Sequence, residues 1–77
     1  MRTFAMIAFE IESLWKNVSP YARPYLDAMK ELYTSDKNAR YYFDYAETMV
    51  LYFLGNAQGW RGADARRIKA ELKAMLK

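Results

Sequence analysis

The sequence predicts an all-α fold, a compact bundle of four helices in which the third helix is central. Two observations carry this prediction. Apolar residues recur at spacings of three and four along most of the 77 residues. Clusters of capping and turn residues near positions 19, 35 and 57 divide the chain into four such segments. Because no repeat, low-complexity tract or linker interrupts them, we expect a single helical domain over residues 1–77.

The first predicted helix, about 3–17, has one apolar face that should contact the core. This face comprises Phe4, Ile7, Ala8, Ile11, Leu14, Trp15 and Val18. Met6 and Phe9 fall on the opposite side, among polar residues. Phe9 therefore indicates either that the first turns are not helical or that the chain has a second apolar surface.

The second predicted helix starts after Ser19, which has the residue type of an N-cap and is followed by Pro20. Pro24 would remove a backbone hydrogen bond there, so the regular part of the helix is expected to begin near Pro24. Arg23 and Asp27 have the spacing of an i,i+4 ion pair. The buried face is predicted to hold Tyr21, Ala22, Tyr25, Leu26, Met29, Leu32 and Tyr33.

The third predicted helix runs from Lys37 to Leu54, after a cap at 34–36. Its apolar arc spans roughly 220°, wider than a one-sided surface helix needs, and this width makes it the central helix. Asp36, Arg40 and Asp44 have i,i+4 spacing on a narrow polar strip, where Leu51 should be exposed.

The segment 55–59 is the stop signal of the third helix, with Gly59 as the expected left-handed residue after it, and the fourth helix is predicted from about Trp60 or Gly62 to Leu76. Its apolar arc is about 100° wide. The arc comprises Ala65, Ile68, Leu72, Met75 and Leu76.

The composition excludes the commonest catalytic and metal-binding chemistries. The chain has no His and no Cys, which removes Ser-His and Cys-His nucleophiles, zinc fingers and iron–sulfur clusters. Its nearest carboxylate pairs are unsuited to acid–base work, because Glu10 and Glu12 diverge on a helix while Asp44 and Glu47 lie on an exposed strip. The glycines lack the flanking strand and Lys-Ser/Thr of a phosphate-binding loop. We therefore expect no enzyme activity, no cofactor, no metal and no small-molecule substrate.

The same sequence predicts an intracellular, cytoplasmic protein with no membrane partner. The longest clear apolar block, Met49–Leu54, has six residues, whereas a membrane span needs about 18. The first residues are interrupted by Glu10 and Glu12 and have no cleavage-like tail, which argues against a signal peptide. The absence of cysteine removes the usual signature of an oxidising compartment.

Positive charge is concentrated in the last helix. Residues 60–77 carry six basic and two acidic side chains, whereas residues 1–35 carry four of each. Arg66, Lys69, Lys73 and Lys77 share one strip, and Arg67 is spaced to pair with Asp64 and Glu71. The strip is typical of a phosphate-binding surface, an acidic-protein contact or simply a solvated helix face. The Gly-containing turn before it also partly matches a helix-turn-helix motif.

Tyr41, Tyr45 and Tyr52 cluster at one edge of the third predicted helix, and this group suits a protein interface. Tyrosine offers a large contact area at low entropic cost. Phe9, Met6 and Leu51 strengthen this interpretation, because a monomer would leave them exposed and a homodimer would cover them. The alternative is a core boundary in a protein too small to cover its rings.

Two stretches of the chain resemble the short helical proteins encoded in early or accessory regions of bacteriophages and prophages. They are LWKNVSPYARPYLDAMKEL at 14–32 and GNAQGWRGADARRIKAELKAML at 55–76. The resemblance transfers no functional residue. It implies a regulatory or accessory role, in which such proteins bind a host protein or nucleic acid. Many such inhibitors are acidic, and the basic last helix departs from that pattern.

The sequence thus predicts a small interaction module that binds a protein partner, or itself as a dimer, rather than an enzyme. The predicted protein interface comprises Phe9, Tyr41, Tyr45, Leu51 and Tyr52. The alternative is a nucleic-acid-binding protein that uses the basic last helix. Its predicted contacts are Trp60, Arg61, Arg66, Lys69 and Lys73, with Trp60 either packing the helix or stacking on a base.

Overall fold

The computed structural model describes residues 1–77 and is mostly helical, with four helices as predicted. The helices are α1 (Phe4–Leu14), α2 (Arg23–Met29), α3 (Ala46–Gly55) and α4 (Ala63–Met75). Two short strands, β1 (Arg40–Tyr41) and β2 (Asp44–Tyr45), form an antiparallel hairpin before α3. The fold is therefore not purely all-α.

Helix α1 buries the predicted apolar stripe and is regular from its first turn. Thr3 caps it, because Thr3 Oγ1 accepts a hydrogen bond from the Met6 backbone N–H at 3.1 Å. Phe4, Ile7, Ala8 and Ile11 are fully buried, whereas the side chain of Phe9 is 51% exposed. Phe9 thus belongs to a second apolar surface.

Helix α2 is shorter than predicted and leaves two of its predicted core tyrosines in solvent. Pro24 lies in its first turn, as expected of a residue that donates no backbone hydrogen bond. Tyr21 precedes the helix and Tyr33 follows its end, so neither keeps the helical register of Leu26 and Met29, and both rings are exposed. The pair between Arg23 and Asp27 is present at 3.3 Å.

The hairpin replaces the first half of the predicted third helix, so the prediction of a helix from Lys37 is wrong. Two side chains take local backbone partners here: Thr34 Oγ1 accepts from the Asp36 N–H and Asp36 Oδ1 from the Asn38 N–H. Such bonds compete with a helix, and the aromatic run that follows favours strands. The predicted i,i+4 ladder of Asp36, Arg40 and Asp44 consequently does not form, because Asp44 faces Tyr41 across the hairpin.

Helix α4 begins directly after Gly62, one of its two predicted starts. Gly62 precedes it with φ 109° and ψ 179°, and it is the one glycine with positive φ, so the assignment of the left-handed residue to Gly59 is wrong. The connection from α3 spans residues 56–62, longer than the three or four residues of a helix-turn-helix turn. The helix-turn-helix interpretation is not supported by this geometry.

The core is organised around α2, which packs against both α1 and α3. Helix α1 packs against both α2 and α4, while α3 packs mainly against α2 and β2. The hairpin leaves α3 with ten residues, and α2 rather than α3, the predicted central helix, packs against two other helices. Trp15, just after α1, stacks on Trp60 with ring centres 5.6 Å apart and meets Phe53 of α3 edge-on at 6.2 Å. These rings close the core where α1, α3 and the loop before α4 meet.

An ion network ties the N-terminus to α1 and α4. Arg2 donates two hydrogen bonds to the Glu71 carboxylate, at 2.6 and 3.0 Å, and one to Glu10 at 2.7 Å. Arg67 pairs with Glu10 and Asp64, so its predicted pairing with Glu71 is replaced by that of Arg2. The hydrogen bonds from Arg2 hold the pKa of the Glu71 carboxyl below its usual value.

We expect Gly62→Ala to lower the free energy of unfolding by about 1 to 3 kcal/mol, because its backbone conformation is essentially restricted to glycine. Gly59→Ala is the matched control in the same loop. An added Cβ would meet no atom within 4 Å at either position, so a difference between the variants reports backbone strain. Urea unfolding followed by circular dichroism measures both. Equal destabilisation would contradict the special role of Gly62.

Candidate functional site

The outer surface of α3 and its N-cap residue carry an uncharged face, which we call the tyrosine face and define as Tyr45 at the N-cap and Thr48, Leu51, Tyr52 and Gly55 on the helix. These residues follow helical spacing and cover an arc of about 120°. Ala46, Val50 and Phe53, on the opposite side of the helix, are fully buried. Tyr45, Leu51 and Tyr52 are 45%, 52% and 53% exposed. Roughly half of each large side chain on this face is therefore available for contact.

Neighbouring side chains hold the two rings of the tyrosine face in place. The Tyr25 ring of α2 lies beside the Tyr52 ring, with centres 5.4 Å apart. The Arg40 guanidinium lies 4.5 Å from the centre of the Tyr45 ring and covers one side of it. Each ring is thus supported by another element before any partner binds, which reduces the entropy lost on association.

The other two members of the predicted interface lie elsewhere. Tyr41 is on β1, where its ring packs partly against the core and its hydroxyl donates a hydrogen bond to Glu31 at 3.0 Å. This bond raises the pKa of the Tyr41 hydroxyl. Phe9 lies on α1, with Lys30 Nζ 5.8 Å from its ring centre. The structure brings Tyr45, Leu51 and Tyr52 together and leaves Tyr41 and Phe9 separate.

Sequence reasoning missed Thr48, Gly55 and Tyr25 as parts of this surface. The sequence did not show that α3 begins only at Ala46. Once the helix begins at Ala46, spacings of three and seven from Tyr45 select Thr48 and Tyr52, and Gly55 follows Leu51 by four. Tyr25 was assigned to the core of α2, and no sequence pattern shows which ring it meets.

The hairpin turn projects two further aromatic side chains into solvent. Tyr42 and Phe43 connect the paired residues Tyr41 and Asp44, and Phe43 is 94% exposed. Tyr42 has φ 57°, and no other residue except glycine has a positive φ. A bulky residue is strained in this region, and glycine is the common choice for such a turn position. The turn therefore contains a strained residue, Tyr42, next to the exposed ring of Phe43.

Two of the five predicted nucleic-acid contacts do not face solvent. Trp60 is buried against Trp15, so the option of stacking on a base is wrong and that of packing the helix is correct. Lys69 Nζ donates hydrogen bonds of 2.7 Å to the carbonyl oxygens of Ala57 and Trp60. Burial lowers the pKa of the Lys69 ammonium, and the charges of Lys73 and Arg61 lower it further. Lys69 thus holds the α3–α4 loop in place.

The remaining basic residues form a smaller exposed surface on and before α4. Arg61, Arg66 and Lys73 are exposed, and none of them pairs with a carboxylate. Arg66 and Lys73 are seven residues apart on one side of the helix, about 10 Å along its axis. This surface has the charge for phosphate contact but no aromatic side chain from the predicted set.

The carboxylate pairs considered for acid–base chemistry are placed as follows. Glu10 and Glu12 each accept hydrogen bonds from two basic side chains, and these bonds lower the pKa of both carboxyls. Asp44 is exposed on the hairpin. No group of three or more metal-ligating side chains forms, and no pocket is present. None of the helices has the length and apolar character that crossing a bilayer requires.

Comparison of the chain with protein-family models, with curated proteins and with solved structures gives no match. The functional argument therefore depends on the geometry of these surfaces. Of the three, the tyrosine face has the most apolar area on a rigid helix, the hairpin turn is the most exposed, and the basic surface of α4 has lost two predicted contacts.

We expect Tyr42→Gly to raise the free energy of unfolding by about 1 kcal/mol, because glycine adopts φ 57° without strain. Loss of the edge contact between the rings of Tyr41 and Tyr42 offsets part of the gain. Phe43→Gly, at the neighbouring turn position, should instead lower stability by a few tenths of a kcal/mol through the greater freedom of the unfolded chain. Thermal and urea unfolding measure the stability of both variants. If Tyr42→Gly lowered the free energy of unfolding, the inference that Tyr42 is strained would be contradicted.

Proposed function

We propose that the protein is a small non-enzymatic interaction module that binds a protein partner through the tyrosine face of α3. In this role it would act as an accessory or regulatory protein, as the resemblance to bacteriophage proteins implies. One observation carries the proposal: Leu51 and Tyr52 of α3, together with Tyr45 at its N-cap, are each about half exposed and follow helical spacing on its outer side. Contiguous apolar surface of this kind is typical of a binding site.

The residue types of this surface also support binding to protein. Tyrosine is enriched among the residues that dominate protein–protein affinity, while charged residues are depleted at interface centres. Arg40 and Glu47 lie at the borders of the tyrosine face, where charged groups influence the association rate more than the affinity. This is the arrangement of an apolar centre with a polar rim.

Site-specific photo-crosslinking tests the proposal. Replacing Tyr52 with the photoreactive amino acid p-benzoylphenylalanine should give protease-sensitive, nuclease-resistant adducts when cells that express the chain are irradiated. The same replacement at Tyr33, an exposed tyrosine outside the tyrosine face, is the matched control and should give few. Tyr45→Ala in the Tyr52 reporter chain should reduce the adducts at least tenfold, because it removes a neighbouring ring. Equal adducts at positions 52 and 33, or none, would contradict a protein-binding role for this face.

A second candidate function is nucleic-acid binding through Arg61, Arg66 and Lys73, and one observation favours it. These three side chains are exposed and have no carboxylate partner within the chain. Free cations on a helix surface are suited to phosphate oxygens. Because Lys69 and Trp60 are used within the fold, this candidate function has cations for the nucleic-acid phosphates but no side chain from the predicted set for a base.

For this second candidate, three phosphate contacts should make the affinity fall between 50 and 200 mM salt by about 40-fold for duplex DNA and by about 20-fold for single-stranded DNA. Lys73→Glu should abolish binding at 50 mM salt, whereas Lys16→Glu, the same charge reversal at an exposed site outside α4, should weaken it only slightly. Fluorescence anisotropy with labelled DNA measures all three proteins. Binding that is absent at 50 mM salt, or unaffected by Lys73→Glu, would eliminate the candidate.

A further inference from the structure

Large and small side chains are placed along the tyrosine face so that two antiparallel copies of the face fit each other. From one end to the other, the face presents Tyr45, Thr48, Leu51, Tyr52 and Gly55. Reversal about residue 50 exchanges position 45 with 55 and position 48 with 52. Each large ring therefore lies opposite a small residue when the face is turned end to end. A surface that packs against a second copy of itself must be complementary in this way.

We propose that the tyrosine face binds the same face of a second copy of the chain, with the two α3 helices antiparallel about a two-fold axis level with Val50. This inference rests on the proposed function and names the partner. In the dimer, Tyr45 lies level with Gly55 of the second copy, and Tyr52 lies level with Thr48 of the second copy. The two Leu51 side chains meet beside the axis, offset by about 3 Å along the helices.

Gly55 provides the space that this arrangement needs. A Cβ added at Gly55 would meet no atom within 4 Å, so the chain itself does not fill the surface around it. The Tyr45 ring of a second copy reaches this level from the opposite end of a face about 15 Å long. Close approach of two helices at a glycine lets a large side chain pack over the backbone without collision.

Charge favours this occupant over nucleic acid or an anionic lipid surface. No residue of the tyrosine face is cationic, and Arg40 at its border already stacks on Tyr45. A polyanion gains most of its affinity from cations, which this face lacks. An uncharged surface whose large residues lie opposite its small ones in an antiparallel pair is instead suited to another copy of itself.

The available area sets the expected affinity. Large side chains of this kind expose about 150–250 Å² each when free, so the half-exposed Tyr45, Leu51 and Tyr52 contribute roughly 300 Å² per copy. Thr48, Gly55 and the Tyr25 ring add less, because Thr48 and Tyr25 are already partly buried, so the total for both copies stays below about 1000 Å², the size of a weak interface. We therefore expect a reversible dimer with a dissociation constant on the order of 10 to 100 µM.

Sedimentation equilibrium of the purified full chain, from about 5 to 500 µM, tests the dimer. We expect the weight-average mass to rise from that of one chain, 9.1 kDa, towards twice this value, with little change between 50 and 500 mM salt. Gly55→Leu should raise the dissociation constant at least tenfold, because the added side chain occupies the space of the ring of the second copy. Ala70→Leu, which adds bulk at an exposed position of α4, should leave it unchanged.

A compensating variant keeps the test decisive even if a single substitution perturbs the helix. The exchange Tyr45→Ala with Gly55→Tyr restores a large residue opposite a small one, so it should recover at least part of the dimer lost in either single variant. A monomer throughout the concentration range, or a dimer insensitive to Gly55→Leu, would overturn the proposal. Circular dichroism confirms that each variant remains helical.

Failure of the dimer can be distinguished from failure of the proposed function. Crosslinked adducts at position 52 with twice the mass of the chain support both. Adducts with other polypeptides, together with a monomer in the centrifuge, overturn the second copy and retain the protein-binding face. Absence of any protein adduct at position 52 contradicts both.

Discussion

The stack of Trp15 on Trp60 is the contact on which the rest of the fold depends. It joins the end of α1 to the loop before α4, and Phe53 of α3 closes it from the side. Lys69 secures the same loop by donating to the carbonyl oxygens of Ala57 and Trp60. A chain of this size buries a limited core, so one aromatic cluster that joins the end of α1, α3 and the loop before α4 has a large share in its stability.

The contacts of Trp60 and Lys69 within the fold also determine which surfaces stay exposed for function. Because Trp60 and Lys69 are used inside the fold, the basic surface of α4 is smaller than its sequence indicates. Because the core takes the side of α3 that carries Val50 and Phe53, the opposite side remains free and uncharged. The candidate interface is thus the part of α3 that a core of this size cannot cover.

The sequence predicted the regular parts of the fold from periodicity, and its errors fall where local interactions compete. The apolar stripe of α1, the start of α2 near Pro24 and the inner face of α4 follow from spacing. The segment 37–45 has helical spacing as well, but Asp36 bonds to the backbone nearby and the aromatic run pairs as a hairpin. Apolar periodicity does not distinguish these states in a run of consecutive aromatics.

The sequence by itself determined a four-helix chain without His or Cys, an exposed Leu51, and Tyr45 and Tyr52 as surface residues. Only the tertiary structure decided which of the candidate residues share a surface. Tyr41 pairs with Asp44 rather than Tyr45 across the hairpin and bonds to Glu31, Phe9 lies on α1, and Trp60 is buried by stacking on Trp15. Helical spacing fixes neighbours within one helix, whereas contacts between elements depend on packing that no local pattern encodes.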